Sequence, residues 1–199
     1  MLSKITPKQN KLGVYIHWPF CVSKCPYCDF NSHKIKDYDQ NEWLIAYKNQ
    51  IKYFKEYLTL HNFENIKLTS IFFGGGTPSL MPPKLVEQIL SFINKLFEFE
   101  KNIEITLESN PTNLELNKIN DFKLAGVNRI SLGVQSLNDT DLRYLGRQHN
   151  ASETFVVLDL MQKIIDNRSV DLIYALSCQN LEIWNHELQN FLKKFSIKH

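Results

Sequence analysis

The sequence predicts an α/β fold in which strands and helices alternate to form a partial (β/α) barrel. Five strand-like runs alternate with five helix-like runs along the 199 residues, and this order is typical of parallel strand pairing. Several strands also carry polar residues on one face, which suits a ligand-holding barrel interior better than a sheet covered on both sides. Five strands are fewer than the usual eight, so we expect an incomplete barrel with an exposed edge at the fifth strand.

The strands are predicted from apolar runs and alternating residues. They cover residues 14–18, 69–73, 103–108, 129–134 and 170–174. In the first, third and fourth strands, one face is apolar. The opposite face carries Tyr15, His17, Glu104, Thr106, Glu108, Arg129, Ser131 and Gln135.

The helices are predicted from apolar residues that recur every three or four positions. The first covers about residues 44–58, and the second begins after Pro82 and Pro83, where proline suits a first turn. The third contains Leu116, Ile119 and Phe122, and we expect Gly126 to end it as a left-handed cap. The last two helices cover about residues 153–165 and 181–195.

Composition indicates a folded domain without an obvious polyanionic partner. The chain is 43% hydrophobic and 12% aromatic, with a formal net charge of +2 and interspersed acids and bases. No basic stripe favours nucleic acid as a partner. The first residues are polar and no apolar run is long enough to span a membrane, so we predict a cytoplasmic protein. The composition does not exclude contact of the folded protein with a membrane surface.

Three cysteines lie close together in the loop after the first strand. Cys21, Cys25 and Cys28 have the spacing C-x3-C-x2-C. Their soft thiolates suit three irons of a 4Fe–4S cluster, which leaves a fourth iron open to a small molecule. Four cysteines in this distribution do not resemble a disulfide framework.

Structural zinc is the alternative interpretation of the cysteine triplet, because zinc sites also use closely spaced cysteine pairs. A zinc ion would need a fourth ligand, which Cys178, His17 or His33 could supply. The sequence has no second C-x2-C pair, and this weakens the zinc interpretation.

Other polar or glycine-rich positions follow the predicted strands. Residues 74–76 are three glycines whose backbone N–H groups could approach a ligand carboxylate or phosphate, although a tight turn without a ligand is equally expected. Glu108, Gln135 and Asp171 lie at strand ends, where barrels carry their active sites. Arg147 could bind a carboxylate through two hydrogen bonds. Taken singly, each of these four polar side chains is more often an ordinary polar residue that binds no ligand.

Six motifs together resemble a known family. They read YIHWPFC from Tyr15, FGGGTP from Phe73, ESNP from Glu108, SLGVQ from Ser131, LGRQH from Leu145 and DLIY from Asp171. In this order they resemble the radical S-adenosylmethionine proteins related to oxygen-independent coproporphyrinogen III oxidase.

The resemblance implies that residues 1–199 form a radical S-adenosylmethionine core domain with about five of six β/α units. It implies that Cys21, Cys25 and Cys28 bind the 4Fe–4S cluster and that S-adenosylmethionine chelates the open iron. The implied S-adenosylmethionine contacts are Tyr15, Tyr27, Gly75, Gly76, Thr77, Glu108, Gln135, Arg147 and Asp171. Reduction of the cluster would cleave this cofactor to methionine and a 5′-deoxyadenosyl radical.

One position distinguishes two branches of the family. The oxidases carry a further cysteine two residues after the third, where this chain has Phe30. The ending Cys28-Asp29-Phe30 resembles the HemW-type haem chaperones, so the resemblance implies haem or a porphyrin and a haem-acceptor protein as candidate partners. An oxidase-like enzyme of porphyrin biosynthesis is the alternative.

Two departures from the family pattern leave a third interpretation open. The chain reads Ala175-Leu-Ser177-Cys178 where relatives have Gly-Leu-Pro-Gly. Relatives also continue through a sixth strand and a C-terminal domain, so we expect a C-terminally truncated form. The third interpretation is an inactive remnant that at most binds a metal.

Overall fold

The computed structural model describes residues 10–35, 37–112, 117–177 and 179–199. The strands in this part are β1 (Asn10–Trp18), β2 (Phe20–Cys21), β3 (His33–Lys34), β4 (Ile66–Gly75), β5 (Glu98–Ser109), β6 (Arg129–Gln135) and β7 (Asn167–Leu172). The helices are α1 (Gln40–Leu60), α2 (Pro83–Leu96), α3 (Ile119–Leu124), α4 (Asp139–Tyr144), α5 (Ala151–Ile164) and α6 (Leu181–Lys194), with a 3-10 turn at Pro78–Leu80. Leu116 and Cys178 lie outside the described residues.

The main sheet has five parallel strands. Its order is β1-β4-β5-β6-β7, and every neighbouring pair is parallel. β1 and β7 form the two edges, so the sheet is not closed into a barrel. This architecture confirms the predicted α/β fold and its partial barrel. Within the described residues, no helix combines the length and the apolar character needed to cross a bilayer.

The apolar face of the sheet packs against the helices. Leu68, Ile71 and Phe73 of β4 are fully buried, as are Leu107 of β5 and Leu132 of β6. The facing side of α2 contributes further buried apolar residues, namely Leu85, Val86, Ile89, Leu90 and Ile93. Each such side chain contributes about 1.5–3 kcal/mol through burial. Because this face supplies the core, the opposite face is available for polar groups.

The strand bounds differ from the predictions where charged residues extend the pairing. β1 starts at Asn10 and β5 at Glu98, and Lys11 forms an ion pair with Glu100 across this region at 2.6 Å. β7 covers Asn167–Leu172 rather than the predicted 170–174. The predicted end is wrong because the partner strand β6 ends at Gln135, which pairs with Leu172, and the chain turns at Ala175, whose φ is 61°.

Two local features of the prediction had different outcomes. Gly126 has a φ of 111° and follows α3, which confirms the predicted left-handed cap. Val127 N–H donates to Phe122 O at 3.0 Å and Gly126 N–H to Lys123 O at 3.0 Å, the pattern of a Schellman motif. The sequence patterns missed β2, β3 and α4, because elements of two or six residues show no clear periodicity.

The outer edge of β7 is contacted by the last residues of the chain. Lys198 N–H donates to Arg168 O at 3.3 Å, and Val170 N–H donates to His199 O at 3.1 Å. The expectation of a bare edge at the fifth strand is therefore wrong at these positions.

Candidate functional site

A cavity of about 410 Å³ lies at the carboxyl ends of the sheet strands. Because consecutive parallel strands end at the same edge, residues far apart in sequence meet there. The predicted residues that line it are Cys21, Cys25, Cys28, Tyr27, Gly75, Gly76, Thr77, Glu108, Gln135, Arg147 and Asp171. Tyr15 is the predicted contact that does not line this cavity.

The cysteine loop is closed at its base by the short β2–β3 pair. His33 N–H donates to Pro19 O at 2.7 Å, and Ile35 N–H donates to Cys21 O at 2.7 Å. Within the loop, Cys28 N–H donates to Cys25 O at 3.1 Å, which turns the chain. The pairing brings the two ends of the loop together, and all three cysteines line the same cavity.

Aromatic side chains pack together at the start of this loop. Trp18 is fully buried, and its ring meets those of Phe20, Tyr38 and Trp43 at centroid distances of 5.1, 5.2 and 5.5 Å. Phe20 also stacks on Tyr38 at 5.5 Å. Aromatic pairs at such distances add stability beyond area burial, so the strand end before Cys21 is rigidly packed.

The cysteines provide a donor set suited to a cluster. All three are free thiols and line the same cavity, and soft sulfur is the ligand type of iron–sulfur centres. In the described parts of the chain, no three His, Cys, Asp or Glu side chains are already spaced to hold a single metal ion. His17 and His33 do not line the cavity, and the ring of His17 bonds to Asn31 O at 2.9 Å.

The glycine loop packs against the start of the cysteine loop. Gly76 N–H donates to Trp18 O at 2.6 Å and Thr77 N–H donates to Phe20 O at 2.8 Å. A Cβ on Gly76 would lie 2.7 Å from Phe20 O, so the close approach of two backbone segments requires glycine. Gly76 N–H is therefore not available to a ligand anion, which favours the tight-turn interpretation at this glycine, and Thr77 N–H is likewise already accepted by a protein carbonyl.

Glu108 projects into the cavity from β5. Its Oε2 accepts a hydrogen bond from Gly75 N–H at 3.2 Å. Burial raises the pKa of Glu108; the Gly75 bond acts in the opposite direction, and the negative charge of Asp171 raises it further. Two carboxyl groups therefore face one partly desolvated space, which favours a ligand that brings positive charge.

Arg147 connects the cysteine loop to the strand ends. Its Nη1 donates to Cys25 Sγ and Tyr27 Oη, both at 3.4 Å. Its Nη2 donates to Gly133 O at 2.9 Å and to Asn110 Oδ1 at 2.5 Å. Nε is buried and has no hydrogen-bond partner within the described residues. The guanidinium is thus held in one orientation between the predicted cluster ligands and the rest of the cavity.

Gln135 reaches the cavity through an unusual backbone. Its φ is 70°, and the register of β6 against β7 shifts between Gly133 and Gln135. A Cβ on Gly133 would lie 3.0 Å from Gln135 Nε2 and 3.6 Å from Arg147 Nη2, so glycine leaves room for both side chains. Positive φ at a glutamine is uncommon and costs free energy, and such strain is typical of functional sites.

Asp171 ends a chain of hydrogen bonds along the inner face of the sheet. Ser131 Oγ donates to Asp171 Oδ2 at 3.3 Å, and Ser169 Oγ donates to Ser131 Oγ at 2.9 Å. Arg129 Nη2 donates to Ser169 Oγ at 2.9 Å. Burial raises the pKa of Asp171, whereas the Ser131 bond and the Arg129 charge act in the opposite direction.

Tyr15 and His149 lie at the border of the site. The Tyr15 ring stacks on Phe72 at a centroid distance of 5.9 Å, and the residue is 58% exposed. Partial burial and the nearby negative charge of Glu108 raise the pKa of Tyr15.

His149 lines the cavity but is buried, and its Nε2 lies 3.1 Å from Val134 O. Burial, with the charge of Arg147, lowers the pKa of His149 to about 4. His149 is therefore neutral near pH 7.

Asn110 belongs to the site although it was not among the predicted contacts, only a member of the ESNP motif. Its Nδ2 donates to Thr77 Oγ1 at 3.3 Å while its Oδ1 accepts from Arg147. It thus connects the glycine loop to the guanidinium. Its position directly after β5, two residues beyond Glu108, was the available signal.

Comparison with known proteins identifies the class. Residues 15–188 match the model of the Radical SAM superfamily, a span that includes every predicted cluster and cofactor residue. The chain therefore belongs to the radical SAM superfamily.

Several proteins of this kind are similar to the chain. It is 41% identical over 182 residues to the heme chaperone HemW of Haemophilus influenzae, covering 88% of this chain and 46% of that protein. It is 36% identical over 191 residues to radical S-adenosyl methionine domain-containing protein 1, mitochondrial, of Danio rerio, covering 95% and 42% respectively. The solved structure of coproporphyrinogen III oxidase HemN from Escherichia coli aligns with a TM-score of 0.79 at 25% identity, covering 94% of this chain and 42% of that one. The chain thus spans less than half the length of these relatives.

Proposed function

We propose that the chain binds a 4Fe–4S cluster through Cys21, Cys25 and Cys28, binds S-adenosylmethionine in the adjoining cavity, and serves haem delivery as a HemW-type protein. The observation that carries the proposal is the meeting of three thiols with Glu108 and Asp171 in one cavity. When bound, the cluster supplies the electron that cleaves the sulfonium of the ligand. The chain positions that ligand and shields it from water.

The polar groups of the cavity complement S-adenosylmethionine. The ligand carries a sulfonium, an ammonium, hydroxyl groups and a carboxylate. Glu108 and Asp171 suit its positive charge and its hydrogen-bond donors, and Arg147 suits its carboxylate. Gln135 offers an amide that both donates and accepts. The contact of Tyr15 with the ligand stays a prediction, because this residue does not line the cavity.

Haem delivery is favoured over porphyrinogen oxidation by Phe30. This residue lines the cavity and its side chain is 60% exposed, at the position where the oxidases carry a cysteine. A phenyl ring offers no thiol for chemistry beside the radical. The 41% identity to a heme chaperone supports the same choice. The acceptor of the haem and the cytoplasmic location stay predictions, since similar relatives include a mitochondrial protein.

A surface depression beside the cysteine loop matches the chemistry of haem. It measures about 860 Å³, and its lining includes Phe20, Phe30, His33, Lys24 and Lys34. Aromatic rings suit the macrocycle, imidazole suits the iron, and ammonium groups suit the propionates. We therefore assign the haem contact of this proposal to the depression, where the imidazole of His33 would bind the haem iron.

Anaerobic haem titration tests this assignment. The reconstituted chain should give a Soret band that survives gel filtration, and His33→Ala should weaken haem binding at least about tenfold. His61→Ala is the control, because His61 lies at the end of α1 with its ring bonded to Tyr57 O. Equal losses in both variants would refute the role of His33. Vinyl product from coproporphyrinogen III would replace the haem-delivery proposal with an oxidase.

A further inference from the structure

The inner face of the sheet carries a one-directional chain of hydrogen bonds that ends in the cavity. Each donor points toward the next group, from Arg129 through Ser169 and Ser131 to Asp171. Hydrogen bonds that run in one direction polarise one another, and the effect is larger where water is excluded. The two serines are buried, with 7% exposure at Ser131 and 4% at Ser169.

The start of this chain is anchored by other polar groups. Arg129 Nη1 donates to Thr106 Oγ1 at 3.1 Å and lies 3.7 Å from Glu104 Oε1. Glu104 also accepts a hydrogen bond from Asn167 Nδ2 at 3.1 Å. The guanidinium is thus fixed on β6 by its neighbours on β5, and it cannot swing away from Ser169 without breaking several bonds.

From this arrangement we infer that Ser131 and Ser169 are positioning residues that orient the Asp171 carboxylate toward S-adenosylmethionine. The inference rests on the proposed function. An ionised carboxylate held in one rotamer accepts hydrogen bonds from the ammonium, hydroxyl or amine groups of a ligand without first being reoriented. Ser131 donates to one Asp171 oxygen, Oδ2, and leaves Oδ1 for the ligand.

A substitution at Ser169 distinguishes an effect on the orientation of Asp171 from the loss of a direct contact with the ligand. Ser131 and Asp171 line the cavity, whereas Ser169 does not, so Ser169 affects the ligand through Ser131. Ser136 provides a matched control, because it is also buried and its Oγ donates to an aspartate, Asp141, at 3.2 Å outside the cavity.

Calorimetric titration of the reconstituted chain with S-adenosylmethionine tests the inference. Ser131→Ala should weaken binding about five- to tenfold and Ser169→Ala about two- to threefold. Ser136→Ala should have no effect on binding. Ser131→Thr keeps a hydroxyl and should therefore retain most of the wild-type affinity. In an Asp171→Asn background, Ser131→Ala should cost less than about twofold, because coupled residues are not additive. Equal losses in both backgrounds would show that Ser131 does not act through Asp171.

A measurement without ligand tests the inference independently of the proposed function. Asp171 is faced by Glu108 from β5 and by Arg129 from β6, and both charges remain in all the serine variants. A carbon-13 titration of the iron-free chain should show the Asp171 pKa higher in Ser131→Ala than in wild type. An unchanged pKa refutes the chain of hydrogen bonds. Failure of wild type to bind S-adenosylmethionine, with the pKa shift present, refutes only the proposed function.

Discussion

The Nη1 atom of Arg147 lies 3.4 Å from the Sγ atom of Cys25. The two residues are 122 positions apart in sequence, and the short helix α4 ends just before Arg147. The same guanidinium also bonds Gly133 O and Asn110. A single side chain therefore joins the cysteine loop to the strand ends that form the rest of the cavity.

Arg147→Lys should weaken S-adenosylmethionine binding by about tenfold or more while iron content stays the same. A lysine keeps the charge, but its compact ammonium cannot replace a planar fork that reaches four groups. Calorimetry and iron analysis on the reconstituted chain would measure both quantities. Arg143→Lys, on the exposed side of α4, is the matched control. If the two variants bind the ligand equally well, Arg147 is a structural residue only.

Gly146→Ala should displace the cysteine loop and lower its iron content. Gly146 has a φ of 68°, and a Cβ there would lie 2.6 Å from Pro26 Cδ, between two predicted cluster ligands. A left-handed alanine costs about 1–2 kcal/mol by itself. Gly126→Ala supplies the control, since Gly126 also has a positive φ, 111°, but lies beside Leu90, away from the cavity. Both should lose stability, and only Gly146→Ala should lose iron; full iron retention would contradict this role of Gly146.

Glu108→Gln should stabilise the fold at neutral pH while weakening S-adenosylmethionine binding. Because burial raises the folded-state pKa of Glu108, stability linked to this group is present below its unfolded pKa and is lost as pH rises through the folded pKa. The neutral amide avoids that loss but forfeits about 1–3 kcal/mol of ligand binding, the range for a hydrogen bond to a charged group.

Urea denaturation at about pH 4 and about pH 8 would check the pH dependence. Glu108→Gln should exceed wild type in free energy of unfolding only at the higher pH, whereas the exposed substitution Glu87→Gln on α2 should match wild type at both. A variant that unfolds easily while binding the ligand normally would make Glu108 structural.

His149 should make the fold sensitive to acid. Its pKa is lowered to about 4 from the usual 6.5 by burial and Arg147, so the folded state resists protonation. Its stability contribution is present above about pH 6.5 and is lost as pH falls toward about pH 4. His149→Gln should flatten this part of the stability–pH curve, while His61→Gln should leave it unchanged. An unaltered slope in His149→Gln would assign the acid sensitivity to other groups.

Much of this site was predictable because its residues follow strand ends, where sequence periodicity indicates position. Glu108, Gln135 and Asp171 were recognisable in this way. The link from Asn110 to Arg147 was not, because it depends on how two loops meet in space. The positive φ of Gln135 was also hidden, since nothing in its residue type requires it. The partners of the glycine loop were hidden as well: Gly76 N–H donates to Trp18 O and Gly75 N–H donates to Glu108 Oε2, which no local motif reveals.

The cysteine assignment makes a separate prediction for the two kinds of cysteine. After anaerobic reconstitution with iron and sulfide, wild type and Cys178→Ser should each hold about four irons per chain, whereas Cys25→Ser should lose them. Cys178 lies 150 positions beyond Cys28 in the sequence, far from the triplet. Iron loss of the same size in Cys178→Ser would mean that the triplet alone does not hold the cluster.

Electron paramagnetic resonance of the reduced, reconstituted chain with and without S-adenosylmethionine tests the central claim most directly. The measurement reports both the cluster and its open iron. We expect the signal of a reduced 4Fe–4S cluster, a change in that signal when S-adenosylmethionine is added, and no signal in Cys25→Ser. A chain that binds zinc but no iron, or a cluster signal that S-adenosylmethionine leaves unchanged, would contradict the account.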